Sequence, residues 1–170
     1  MANFAKAITV VLANEGSTLT DDPSDAGGLT RFGICKRDNP KLDIKNLTEE
    51  QASKYYLVNW WNKYNLMLIN DDGLATWLFD HMINMGPEPV ITILQTVIQD
   101  SMHAANVWTG IHIDGQLGPI TADLVNKYYS LDCMLKIQEK CWNRYLKIME
   151  EHPEDQKWYH GWHTRCFQNV

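Results

Sequence analysis

The stretch Glu15-Gly16-Ser17-Thr18-Leu19-Thr20-Asp21-Asp22-Pro23-Ser24-Asp25-Ala26-Gly27-Gly28-Leu29-Thr30-Arg31-Phe32-Gly33-Ile34 decides the fold, because a helical periodicity ends in it and a different one begins. Upstream, Phe4, Ala7, Ile8, Val11 and Leu12 recur at helical spacing and Gly16 supplies a stop. That pattern predicts one amphipathic helix over residues 3–15, with Glu15 at its C-terminal edge. From Gly16 to Gly28 the chain is dense in turn formers and cannot continue a helix. The alternation from Leu29 to Ile34 then predicts a short strand. Gly27-Gly28 tolerates the positive φ angles of a tight turn, so a small hairpin is expected there.

Outward from this stretch the rest reads as helix. Thr48-Glu49-Glu50-Gln51 has the spacing of a capping box, with Leu47 placed to staple onto Ala52. A helix is expected from about Leu74 to Met85, stopped by Gly86-Pro87, and another from near Pro89 through Met102. Asp114-Gly115 marks a turn, and Pro119 suits a first helical position. Ser130 caps a long helix that His152-Pro153 ends. The fold class is therefore α+β, predominantly helical, with a small β-hairpin after the first helix. No repeat or linker-like stretch divides the 170 residues, so one compact unit is expected.

Lys and Arg number 15 against 21 Asp and Glu, a net charge of -6. Residues 1–85 carry 11 acids and 8 bases, and residues 86–170 carry 10 and 7. With no basic stripe to release counterions, nucleic acid is not an expected partner. A 45% hydrophobic content can fill an interior that buries roughly 70% of the unfolded surface, without metal or disulfide staples. Cys35, Cys133, Cys141 and Cys166 show no CxxC spacing and read as free thiols. Ala7 to Ala13 is too short for a membrane span and lacks a cleavage pattern. Synthesis in the cytoplasm without a signal peptide, and a monomer without stable membrane insertion, are the expectations.

Glu15 is oddly placed, because the partial negative charge of a helix C-terminus favours Lys or Arg over Glu. That field, with partial burial against the hairpin, favours the protonated carboxyl that a general acid for glycosidic cleavage requires. Asp21, Asp22 and Asp25 are candidates for a second carboxylate, and Thr30 for a hydroxyl holding a water, the geometry of an inverting hydrolase. A calcium loop fails, since Pro23 sits where an oxygen ligand is needed and Ala26 where the glycine must be. The six histidines form no HExxH, and no GxSxG appears, so neither zinc nor acyl-enzyme chemistry is supported. No metal or cofactor is expected.

Glu15-Gly16, Asp22-Pro23, Asp25, Gly27-Gly28, Thr30 and Gly33-Ile34 together resemble the signature of the glycoside hydrolase family 108 lysozymes. Tyr55-Tyr56 before Trp60-Trp61, Asp80 to Asn84 with Gly86, Asp114 to Pro119 with Thr121, and Gly161-Trp162 with Arg165 are similar to later blocks of that family. One departure is that Gly16-Ser17-Thr18-Leu19 replaces the usual second glycine and aromatic. The resemblance implies a lysozyme-like fold, with a catalytic region over residues 1–87 and a helical region over 88–170 resembling a peptidoglycan-binding domain packed on it. It also implies cleavage of the β-1,4 bond between N-acetylmuramic acid and N-acetylglucosamine in the periplasm or cell wall, after release or secretion. Glu15 would be the proton donor, Asp25 and Thr30 would position water, and Tyr56, Trp60 and Asn84 would bind substrate. A lytic transglycosylase and a non-catalytic peptidoglycan-binding or secretion-assisting module are the alternatives.

Overall fold

The computed structural model describes residues 1–21, 28–108 and 110–168. Helix α1 spans Phe4–Glu15, opened by Asn3, whose side chain accepts from the Ala5 and Lys6 amides, and closed by Gly16 at φ 76°. Strands β1 (Thr30–Arg31) and β2 (Ile34–Cys35) pair antiparallel, with Thr30 opposite Cys35 and Arg31 opposite Ile34. Thr20 forms an isolated antiparallel bridge with Thr30.

The hairpin differs from its sequence expectation. Leu29 to Ile34 is not one strand, because the chain reverses inside it at Phe32 (φ 52°) and Gly33 (φ 72°), a two-residue turn with both centres in the left-handed region. A phenylalanine accepts that conformation here because tertiary contacts hold it. Its ring is buried in the core and its carbonyl accepts a 2.8 Å bond from the Tyr56 hydroxyl. The Gly27-Gly28 step instead belongs to the longer connection between Thr20 and Thr30. Most of that connection lies outside the described residues.

The helices follow the expected order. Helix α2 (Glu49–Tyr56) carries the capping box of Thr48 and Gln51 and runs into a π-helical turn over Leu57–Asn62. Helix α3 (Asp72–Met85) starts on an Asp71 cap and stops at Gly86, and α4 (Pro87–Ala104) follows at once. Then come α5 (Pro119–Tyr128), α6 (Leu131–Glu151) under its Ser130 cap, and α7 (Tyr159–Cys166), preceded by a 3-10 turn at Pro153–Trp158. The fully buried Phe79 of α3 takes ring edges from Tyr56 and Trp61 and a tilted contact from Phe4. One apolar cluster runs from Ala7 to Cys166. Buried Gln95 pins the Asp114 turn by accepting from the Asp114 and Gly115 amides and donating to Asp114 Oδ1 and the Gln116 carbonyl.

All four cysteines are free, three of them buried and Cys35 half-buried. No helix among the described residues is long and apolar enough to cross a membrane.

Candidate active site

The end of α1 meets three other segments at Glu15. The Gly33 turn presses on it from the hairpin: a Cβ added at Gly33 would lie 2.5 Å from Glu15 Oε2 and 2.8 Å from the Tyr56 hydroxyl oxygen. Only a glycine leaves room for the carboxylate there. On its other oxygen, Glu15 Oε1 accepts a 3.0 Å bond from Arg165 Nη2, contributed by α7 from 150 residues away. The same guanidinium lies 3.4 Å through Nε from Asp80 Oδ2 on α3. Asp80 Oδ1 in turn accepts a 3.0 Å bond from the Asn14 amide, the residue before Glu15. Asn14 also reaches Gln168.

This is a largely desolvated network of two carboxylates about one guanidinium. Exposure of the side chains is 18% for Glu15, 13% for Arg165 and 4% for Asp80. Burial raises the Asp80 pKa above its ordinary value against the opposing pull of Arg165 and the Asn14 bond. For Arg165 burial works against the charge, but Asp80 and Glu15 outweigh it and hold the guanidinium still more firmly protonated. The helix-end carboxylate therefore has a specific cationic partner that its local sequence does not supply.

Of the residues expected to work beside Glu15, Thr30 is half-buried on β1, and its hydroxyl donates 2.9 Å to the Gly28 carbonyl, leaving its lone pairs to accept. Asp22 and Asp25 lie outside the described residues. Tyr56 corrects its expected role: it is 1% exposed, its hydroxyl is spent on Phe32, and burial holds its pKa well above normal. It props the hairpin turn from beneath and has no face left for a sugar. Trp60 is half-buried on the π-helical turn, its ring 5.8 Å from Tyr64, and no bond ties it to Glu15. Asn84 is exposed on α3, one turn beyond Asp80, and its Oδ1 accepts a 2.6 Å bond from the Tyr145 hydroxyl of α6.

Arg165, Asp80 and Asn14 have no role in the expected site. A signal for Asp80 is present in the sequence, since a carboxylate inside the apolar run Leu74 to Met82 needs a partner once buried. The partner's identity is set by tertiary structure alone. A groove of about 660 Å³ beside α1 includes Gly16, Ser17, Phe32 and Glu49 in its lining but not Glu15, so it does not coincide with this network.

No curated protein matches the chain. Among solved structures it is similar to SagA of Brucella abortus, at 26% identity and a TM-score of 0.70, covering 96% of this chain and 88% of that one. The fold is accordingly lysozyme-like, mainly helical with a small hairpin after the first helix. The family model described as Glycosyl hydrolase 108 matches residues 8–86, the region holding Glu15, the Gly33 turn and Asp80.

Proposed function

We propose that the protein is a muramidase that hydrolyses the β-1,4 bond between N-acetylmuramic acid and N-acetylglucosamine, with Glu15 as proton donor. The observation carrying this reading is the placement of Glu15 at the end of α1, fixed between the Gly33 turn and Arg165, inside the segment matched by a glycoside hydrolase family. An ion-paired carboxylate is not yet a proton donor. Entry of the sugar must draw Glu15 away from Arg165 Nη2, and Asp80 is the acid to which the guanidinium stays tied when it does. Thr30, with Asp25, holds the attacking water on the opposite face of the sugar. Asn84 supplies an amide to the strand and Trp60 a ring. Residues 1–87 and 88–170 act as one catalytic unit, since the α7 arginine completes the site of the first region. The substrate is peptidoglycan, met in the periplasm or cell wall.

Glu15→Gln keeps the shape and loses the transferable proton, so clearing of purified cell walls should fall by roughly 10²–10⁴-fold with folding intact. Thr30→Ala should also lose turnover, and products formed in ¹⁸O-labelled water should carry the label at a reducing muramic acid end. Wild-type clearing by Glu15→Gln rejects the assignment. Anhydro ends with an active Thr30→Ala identify a transglycosylase instead.

A further inference from the structure

Beside the Arg165–Asp80 contact, α7 and α3 present a second pair of residues. Asp80 and Asn84 are about one turn apart on α3, about 6 Å along the axis, and Arg165 and Trp162 about one turn apart on α7, about 4.5 Å. The first residue of each pair meets through the Arg165–Asp80 contact. The second meets through Tyr145, whose ring stacks on Trp162 at 4.8 Å and 25° while its hydroxyl donates to Asn84 Oδ1.

The state of the two outer residues is informative. Trp162 is half-buried, and its only ring contact among the described residues is with Tyr145, which covers one face of the indole. Trp142 is different: Tyr145, Tyr159, His163 and Phe167 surround it, as befits the centre of a packed cluster. The Asn84 side chain is exposed, and the Tyr145 hydroxyl fixes which way its amide faces by occupying the oxygen. The Asn84 NH₂ has no partner among the described residues. A rigid aromatic plate beside an oriented amide donor is the pairing that recognises a pyranose, whose axial C–H groups lie on an aromatic face while its hydroxyl and acetamide oxygens accept hydrogen bonds.

We propose that Trp162, backed by Tyr145 and partnered by the Asn84 amide, forms a binding subsite for an N-acetylated sugar on the α7 side of Glu15. This rests on the muramidase reading for the identity of the strand. The consequence is that the C-terminal helices bind the same strand that Glu15 cleaves, rather than anchoring the enzyme to the wall at a separate place.

The test uses the full-length protein with 5-fluorotryptophan at its seven tryptophans, in the Glu15→Gln background so that the strand survives. The ¹⁹F resonance of Trp162 is identified by its loss in Trp162→Phe. Adding soluble glycan strands of alternating N-acetylglucosamine and N-acetylmuramic acid should shift that resonance and leave Trp158, which is 52% exposed on the neighbouring turn, in place. In the active protein Trp162→Ala should raise KM about 5- to 10-fold with kcat changed less than about threefold, and Trp162→Phe should recover most of the loss. The ¹⁹F arm keeps Trp162 and so stands if the alanine variant folds poorly. Cleavage by the wild type with an unmoved Trp162 resonance and an unchanged KM overturns the subsite alone. Neither cleavage nor any shifted resonance overturns the muramidase reading, and the subsite with it.

Discussion

The two halves of the molecule hold their functional residues in different ways. In the first, Glu15, Gly33 and Thr30 lie within 19 positions, held by a helix stop, a tight turn and a strand pairing that are close together in the chain. In the second, Tyr145, Trp162 and Arg165 sit on helices whose own patterns say only that they pack. They matter because α6 and α7 bring them to α1 and α3. The first half places the carboxylate, and the second supplies its counter-charge. A family match confined to residues 8–86 is therefore compatible with a site that needs residue 165.

Breaking that long-range tie should have the largest effect on stability. Arg165→Ala leaves Asp80, 4% exposed, without its cation and Glu15 without its partner. Losing one partner of a buried pair costs about 3–5 kcal/mol, and at roughly 2–4 °C per kcal/mol the melting temperature should fall clearly. Adding Asp80→Asn to Arg165→Ala should recover part of the loss, because the stranded charge is gone. A melting temperature within experimental error of wild type for Arg165→Ala alone would show that the two halves are not joined through this arginine.

The local side of the comparison is sharpened by two glycines of the same segment. Gly33 and Gly28 both sit at positive φ, 72° and 66°, but a Cβ at Gly33 meets Glu15 and Tyr56 whereas one at Gly28 meets nothing within 4 Å. Either alanine should destabilise by about 1–3 kcal/mol through backbone strain. Only Gly33→Ala must also displace the Glu15 carboxylate, so it should lose about 10²-fold in turnover, the scale of a misplacement near 1 Å. Equal turnover by the two variants would mean that the Gly33 turn does not set the carboxylate's position.

What the sequence makes legible follows the same division. Helices with strong local signals, such as the Thr48–Gln51 capping box, Gly86-Pro87 and the Ser130 cap, fall where periodicity and cap chemistry predict. The single strand expected over Leu29 to Ile34 reverses at Phe32-Gly33 because a buried ring and the Tyr56 hydroxyl stabilise a left-handed phenylalanine, a tertiary effect that propensity cannot anticipate, while the expected Gly27-Gly28 turn reaches outside the described residues. Tyr56 is misassigned to substrate for the same reason, since an aromatic in a helical pattern carries no mark of which side is solvent. Glu15 is legible as a misfit at a helix end. Arg165 is not, because an arginine three residues after a tryptophan fits a surface helix equally well.

The smallest effect, and the most selective, concerns the buried neighbour of the network. His81 is 1% exposed, stacks on Trp77 at 3.6 Å, and bonds through Nδ1 to the Trp77 carbonyl, while its Nε2 has no partner among the described residues. Burial pushes its pKa down to about 3, with the Trp77 bond opposing and Arg165 reinforcing. In the unfolded chain the same ring titrates near 6.5. Between those values the unfolded state holds a proton that the native state does not, so His81 contributes stability that is complete above about pH 6.5 and is lost as pH falls toward 3. Its slope is at most about 1.4 kcal/mol per pH unit. Asp80, 3.8 Å from Nδ1, has a pKa raised by burial and acts with the opposite sign: its contribution is present in acid and is lost as pH rises through its shifted value. Below pH 6.5 the His81 contribution makes unfolding free energies decline with acidity, against the opposing contribution of Asp80. His81→Phe, which keeps the stack on Trp77 and removes the titration, should flatten the profile even if it lowers the plateau. An unchanged slope in that variant would show that His81 does not carry the acid sensitivity.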